Sequence, residues 1–594
     1  MTLPLVVHVT HEAGLKIGGI GAVLEGLLTS RPYTDQVQRT ILAGPFPAWD
    51  PAQMDRIVSQ RSRLQVRYAS RYGIYGLVPP DLGKRFHGLE RDLNINIFYG
   101  LAPYGAHCHE VLLVDPTHLI PDVANLFAYD LYANYHLQAD RYAYDAEWTG
   151  FVQLATALAQ AIEALAADAM PGRQNRFAIA HDWMGLLPVL ALQLQGTDRW
   201  STVYYAHEVA PVRRLVEEHE GHDTRYYNVM RNAEGSGVFL DNLFGPQDDW
   251  FKVPLLHQAS RCDAVLAVSD LVRDELRFLG TGFADAPIDL VYNGIPSQAT
   301  TLDEKNTSRD RLRSYCRELH GFRPDFVFTH VTRMVPSKGM WRDAKVLSHL
   351  ARRLADERGQ TAVLFVLSTG TGTGRASDQV HAWEEAYGWP VGHRADNGDL
   401  VGMEAAYFFD VVEPFNRGHA NAKIVFVNQF GWDRVHCGQR MPDDMSFTDI
   451  RRGSDLEFGL SIYEPFGIAQ LEALTHGAVC CISSACGCRG FVARVAANDT
   501  PTALVIEADY ISLPDDSWIH SPWDALRISR WQRDRLEEYQ SEQAAREILK
   551  VLARNDAERS RNLAWGQAAS AAMGWDTVAR DLLLPALHRL RTQT

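Results

Sequence analysis

Cysteine is scarce in this chain of 594 residues. There are eight, and the four that cluster, Cys480, Cys481, Cys486 and Cys488, lack the paired C-x2-C spacing of a zinc site. They read as small residues of a buried strand and the loop behind it. Long apolar runs are absent too: no stretch of about eighteen apolar residues occurs. The most apolar helical pattern, Phe151 to Met170, carries Gln153, Gln160, Glu163 and Asp168, so it predicts an amphipathic soluble helix and no membrane partner. The N-terminal MTLPLVVHVT has neither the positive charge nor the small-residue cleavage site of a signal peptide and reads as a first buried strand, so a cytoplasmic location is expected. Basic residues are outnumbered, 58 Lys and Arg against 73 Asp and Glu, for a formal net charge of −15. Nucleic-acid binding rests on cations that neutralise phosphates, so no nucleic-acid partner is expected and a small or neutral substrate is favoured.

What is present is the composition of a soluble globular enzyme, 46% apolar and 22% charged. The length exceeds one ordinary core, so two or more domains are expected, each folding without disulfides or metal. Short apolar runs alternate with amphipathic helical stretches, the pattern of a parallel sheet covered by helices. LPLVVHVT is followed by the helix GGIGAVLEGLLTS, FAIAHDW by MGLLPVLALQLQ, and STVYYAHE, CDAVLAVS and IDLVYNGI continue the series. After Gly294 the chain turns polar, and the series restarts at DFVFTHVT. The expected division is therefore 1–294 and 295–565, with an insertion over about 371–453 and a C-terminal amphipathic helix within 566–594. HVT closes the first strand of both halves, at His8 to Thr10 and His330 to Thr332.

Several segments carry chemistry. Lys16-Ile17-Gly18-Gly19-Ile20-Gly21 sits between a strand and a helix, where backbone N–H groups and the helix dipole form an anion site that glycine lets a phosphate or sugar approach. Arg333 and Lys338, in TRMVPSKG, follow the first strand of the second half, where two cations would stabilise a departing diphosphate in place of a metal. Glu464 and Glu472 lie eight apart in YEPFGIAQLEAL, a separation that would set both near one helical face. There they can accept from sugar or ribose hydroxyls, and Gly467 allows close approach at the turn. His181, Asp182 and His207 fall at the carboxyl ends of strands, the edge where open α/β sheets bind ligands. Asp145 and Glu147, in YAYDAEW, are candidates for binding acceptor hydroxyls.

Four of these segments, in order, resemble the glycogen/starch synthase branch of the retaining GT-B glycosyltransferases: HVTHEAGLKIGGIGAVLEGL, AHDWMGLLPVL, TRMVPSKG and YEPFGIAQLEAL. The resemblance implies a GT-B fold, two Rossmann-like domains facing each other across a cleft, with the C-terminal helix GWDTVARDLLL crossing back to the first domain. It implies that Lys16, Gly18 and Gly19 face the donor's pyrophosphate and glucose and that Arg333 and Lys338 bind its phosphates. Glu464 and the N–H groups around Gly467 would contact the donor sugar, Glu472 the ribose, and His207 would sit beside the anomeric carbon. Acceptor contacts would fall to Asp145, Glu147, His181 and Asp182. Transfer would retain the α configuration by front-face attack, with the leaving phosphate taking the acceptor's proton. No metal or other cofactor is implied, and the chain has no Asp-x-Asp motif.

The expected activity is transfer of glucose from ADP-glucose or UDP-glucose to the non-reducing end of an α-1,4-glucan. Two departures keep the donor base and the acceptor open. Bacterial glycogen synthases commonly have Tyr at the place of Glu472, and AHEVAPVRR differs from their usual His-Asn after the histidine. A transferase making a disaccharide or small glycoside, of the trehalose or sucrose type, shares the same loops. A non-catalytic carbohydrate-binding protein is the third reading. Oligomeric state is left open.

Overall fold

The computed structural model describes residues 2–592 apart from 17, 48–49, 51–53, 55–56, 58–63, 197, 281, 372–374 and 389–399. Ile17 of the glycine-rich segment and 372–374 and 389–399 of the expected insertion thus lie outside the described residues. Among those residues no helix is long and apolar enough to cross a membrane.

The chain forms two compact α/β units. The first contains Met1–Pro211, Phe239–Gly294 and Trp575–Thr594. Its strands are β1 (Leu5–Val9), β2 (Thr40–Pro45), β3 (Gln65–Ala69), β4 (Asn96–Tyr104), β5 (His107–Asp115), β6 (Arg176–His181), β7 (Ser201–Ala206), β8 (Ala264–Ala267) and β9 (Ile288–Leu290). They form one sheet in the order β3-β4-β5-β2-β1-β6-β7-β8-β9. Pairing is parallel from β5 through β2 to β9, and antiparallel only along β3-β4-β5. The five strands read from the sequence, β1 and β6 to β9, are neighbours in this order. Their residues are almost wholly buried, as expected for strands covered on both faces by helices.

The second unit contains Val212–Val238 and Ile295–Gly574. Its strands are β10 (Phe326–Val331), β11 (Ala362–Leu367), β12 (Ala422–Val427), β13 (Leu456–Gly459), β14 (Val479–Ser483) and β15 (Val505–Ala508). They pair in the order β12-β11-β10-β13-β14-β15, parallel throughout. Two Rossmann-like units, each built on a mainly parallel sheet, are the α/β organisation expected of a GT-B chain. In each sheet the first strand of the unit has its next neighbours in sequence on one side and the later strands on the other. The order therefore reverses between β1 and β6 and between β10 and β13, and such reversals open a crevice at the carboxyl edge.

Three boundaries differ from the sequence reading. Residues 212–238 belong to the second unit rather than to a continuous 1–294 domain. The cause is a buried ion network: Arg342 binds both carboxylate oxygens of Asp223 at 2.7 and 2.9 Å and Glu537 at 2.8 Å, and lies over the Tyr510 ring at 4.2 Å. Thr224 and Asn228 add hydrogen bonds to the carbonyls of Tyr510 and Ile511. The return to the first unit begins at Trp575 rather than 566, because Asp556–Ala572 is a helix of the second unit. Trp575 fills space that Gly26 and Gly294 leave, where an added Cβ would come within 2.1 and 2.5 Å of the indole. Finally, the stretch expected to be an insertion contains β12, the edge strand of the second sheet, so that part of it is integral to the fold.

Removing one partner of a fully buried ion pair leaves the other charge uncompensated, which costs about 3–5 kcal/mol. Asp223→Ala should therefore lower the urea midpoint of the second unit by a corresponding amount. A midpoint equal to wild type would contradict the role given to the network.

Candidate functional site

In the first unit the parallel register builds a diagonal of imidazoles. His8 on β1 is opposite Ile179 on β6, and His181 on β6 is opposite Tyr205 on β7. Side chains two residues apart share a sheet face, so His181 lies one repeat above His8, and His207 one repeat above His181. The rings bond in series: His8 Nδ1 to His181 Nε2, and His181 Nδ1 to His207 Nε2, both at 2.9 Å. The inner end continues from His8 Nε2 to the Tyr33 hydroxyl at 2.9 Å. Burial lowers the pKa of all three histidines, reinforced by His181 and His109 at His8, by His207 and His11 at His181, and by His11 at His207, which is held at about 3. His207 is therefore a neutral ring, half-buried at the carboxyl edge.

Asp182 fixes this edge from the other side. It opens the helix Asp182–Leu194 at a left-handed φ of 57°, and its Oδ1 accepts the N–H groups of His207 at 3.0 Å and Glu208 at 3.3 Å. The helix lies directly against β1, since a Cβ on Gly185 would meet the Val9 carbonyl oxygen at 2.2 Å. His181 is wholly buried, so it supports His207 and has no surface to offer an acceptor, in contrast to the direct contact expected of it. Asp145 caps the helix Ala146–Ala166 by accepting the N–H groups of Glu147 and Trp148, and that cap is its visible role. Glu147 pairs with Lys252 at 2.8 Å, and the ammonium of Lys252 sits 4.1 Å from the centre of the Trp183 ring.

The glycine-rich loop leads into the helix Gly19–Thr29. Gly18 and Gly19 are exposed, as is Lys16, and Gly18 donates its N–H to Oε2 of Glu12 at 2.6 Å. A Cβ on Gly21 would fall 2.5 Å from the same carboxylate. Glu12 is buried, and its side chain lies where the sequence reading expects the donor's pyrophosphate. An anion approaching this helix end must displace or share that interaction.

In the second unit Lys338 and Glu464 meet at the other reversal. Lys338 ends the short helix Pro336–Lys338 after β10, and Glu464 follows β13. The two loops are tied together by the N–H groups of Ile462 and Tyr463, which donate to the Ser337 carbonyl at 2.8 and 3.2 Å. Gly339, at φ 57°, lets the Lys338 loop lie against the Leu460 carbonyl, which a Cβ would reach at 2.6 Å. Lys338 Nζ donates to Glu464 Oε2, and Gln470 Nε2 donates to the same oxygen at 2.9 Å. Burial pushes the Glu464 carboxyl up, but Lys338 and Arg213 outweigh it and hold the group below its ordinary value. Arg333 is exposed on the same loop as Lys338. Gly467 adopts φ 97°, close against Gln470 and Glu464.

Glu472 is placed differently from the expectation. Glu464 lies in the irregular segment before the helix Ala469–His476, so the two carboxylates do not share a helical face. Arg451 holds Glu472 at 3.1 Å while also pairing with buried Glu457. Arg213 and Glu217 flank the Lys338 loop at Ser337 and carry no role in the sequence reading. Arg213 reaches Ser337 Oγ at 3.1 Å and lies over the Tyr463 ring at 5.3 Å, and Glu217 accepts the Ser337 N–H at 3.0 Å. Their signal was the unusual run AHEVAPVRRLVEE itself. Tyr33 and Glu12 gave no signal beyond their proximity in sequence to the glycine-rich loop.

No family model matches the chain, and no curated protein matches it. Among solved structures it is similar to a UDP-forming trehalose-phosphate synthase from Burkholderia xenovorans, at 13% identity over 99% of both chains with a TM-score of 0.48. It is similar to the catalytic domain of starch synthase IV from Arabidopsis thaliana bound to ADP and acarbose, at 15% identity over 100% of this chain and 99% of that one, TM-score 0.49. A sucrose-phosphate synthase from Thermosynechococcus elongatus gives 14% identity over 100% and 99%, TM-score 0.47.

His8, His181 and His207 are neutral when folded and protonate near 6.5 when unfolded, so below that value the unfolded state binds more protons. Their contribution to stability is full above pH 6.5 and is lost as the pH falls from there toward the folded values. The first unit should lose stability between pH 7 and 5, and His181→Gln should flatten that loss, as read from urea midpoints. An unchanged midpoint in the wild type over this range would contradict it.

Proposed function

We infer that the protein is a retaining glycosyltransferase that uses a nucleotide diphosphate sugar. The observation that carries this reading is the pairing of Lys338 with Glu464 at the carboxyl edge of the second sheet, where its strand order reverses, with Arg213 and Arg333 beside or on the same loops. Cations there suit a diphosphate, and a carboxylate held ionised between them suits sugar hydroxyls. In the proposed step the bond from the anomeric carbon to the phosphate oxygen breaks, and its electron pair leaves with the diphosphate. The acceptor hydroxyl oxygen bonds to the same face of that carbon, and its proton passes to the departing phosphate. Lys338 and Arg333 bind the leaving phosphates, Glu464 and the N–H groups near Gly467 orient the sugar, and Glu472 serves the ribose. Lys16, Gly18, Gly19 and neutral His207 supply the first unit's contacts, with Glu147 and Asp182 on the acceptor side. Basic side chains take the place of a metal.

The proposed donor is ADP-glucose or UDP-glucose and the proposed acceptor an α-1,4-glucan. A panel of glycogen, maltooligosaccharides and small sugars or sugar phosphates decides the acceptor: nucleotide release that depends on glycogen supports glucan extension, and release dependent on a small sugar alone assigns a disaccharide-forming transferase. Lys338→Ala should lower turnover by about two or more orders of magnitude, as loss of a transition-state charge partner does. A folded variant with wild-type turnover removes the assignment. Turnover should survive a strong chelator unchanged, and its loss, restored by a divalent cation, would contradict the metal-free reading.

A further inference from the structure

The hydrogen-bond chain that ends on His207 has a direction, and the direction fixes what His207 offers. From the interior outward it runs from Thr40 Oγ1 to the Tyr33 hydroxyl at 3.1 Å, then to His8 Nε2, from His8 Nδ1 to His181 Nε2, and from His181 Nδ1 to His207 Nε2, each at 2.9 Å. A neutral imidazole has one N–H and one bare nitrogen, so each inner ring must accept on one side and donate on the other. Burial keeps the three rings neutral and keeps the Tyr33 phenol protonated. Two proton arrangements satisfy the contacts between rings. In one, Tyr33 donates to His8 and every histidine carries its proton on Nδ1. In the other, every histidine carries it on Nε2, His8 donates to Tyr33, and Tyr33 donates to Thr40.

Thr40 distinguishes them. Its hydroxyl is buried, and Tyr33 is its side-chain hydrogen-bond partner among the described residues. In the second arrangement Thr40 accepts from Tyr33 and its own proton has no acceptor among the described residues, a state that a buried donor avoids. In the first, Thr40 donates to Tyr33, Tyr33 to His8, His8 to His181 and His181 to His207, and no proton is stranded. We propose that Thr40, Tyr33, His8 and His181 are positioning residues that lock His207 in its Nδ1–H tautomer, so that it meets its ligand as a neutral hydrogen-bond donor and not as a base. Nδ1 is the ring nitrogen of His207 outside the chain. The identity of that ligand rests on the glycosyl-transfer reading, which makes the accepting atom an oxygen of the donor sugar or of its leaving phosphate. The tautomer itself does not rest on it.

The test is a long-range proton–nitrogen correlation spectrum of the full chain labelled with 15N-histidine, with His207→Gln used to assign the His207 signals. His207 should show a protonated Nδ1 and a bare Nε2. Tyr33→Phe removes the donor to His8 Nε2, and with it the bias toward Nδ1–H, and should populate the Nε2–H form at His207. Thr40→Val leaves His8 as the sole acceptor for the Tyr33 hydroxyl and should keep the Nδ1–H form. An Nε2–H tautomer in the wild type overturns the proposal, as does a His207 signal that Tyr33→Phe leaves unchanged. Should Tyr33→Phe fail to fold, Thr40→Val decides: retention of Nδ1–H supports the lock, and a switch to Nε2–H overturns it. The spectra need no substrate, so failure of the transfer reading and failure of the lock are separate results.

Discussion

Parallel pairing at the two points where strand order reverses is the constraint on which the rest of the structure depends. Side chains on one face of a strand recur every two residues, and the parallel pairing of β1, β6 and β7 sets His8, His181 and His207 on one diagonal. The same rule places the loops after β10 and β13 side by side, which brings Lys338 to Glu464. A slip of one residue in either pairing would turn these groups to the opposite face and separate them.

Each edge is held by short-range contacts that leave little room for substitution. In the first unit Asp182 uses a strained backbone conformation to grip the segment that carries His207, and Gly185 brings its helix onto β1. In the second, the Ser337 carbonyl receives two N–H groups from the Glu464 segment while Arg213 and Glu217 hold Ser337 from another side. The buried Arg342 network anchors the stretch that supplies Arg213, whose charge acts on Glu464.

Periodicity made much of this legible. The apolar runs gave β1, β6 to β9 and β10, because buried parallel strands and polar connections differ sharply in composition. The repeated HVT gained a physical meaning: His8 belongs to the imidazole chain, and His330, at the matching place on β10, is buried against Asp343 at 2.6 Å. Long-range contacts were not legible. The membership of 212–238 in the second unit depends on Asp223 meeting Arg342, residues 119 apart in sequence. The separation of Glu464 and Glu472 by eight suggested one helical face, yet Pro465 and Gly467 keep the chain irregular until the helix at Ala469. Tyr33 and Thr40 show no motif; only the folded sheet makes them the inner end of the chain that reaches His207.

The activity proposed for this chain is transfer of a sugar from a nucleotide diphosphate with its anomeric configuration retained. Proton NMR of the product formed from ADP-glucose or UDP-glucose, on whichever acceptor supports nucleotide release, tests it most directly. The account predicts a new α-configured anomeric signal that grows in step with free nucleotide diphosphate; a β-configured product, or no new glycosidic signal from any nucleotide sugar, would contradict it.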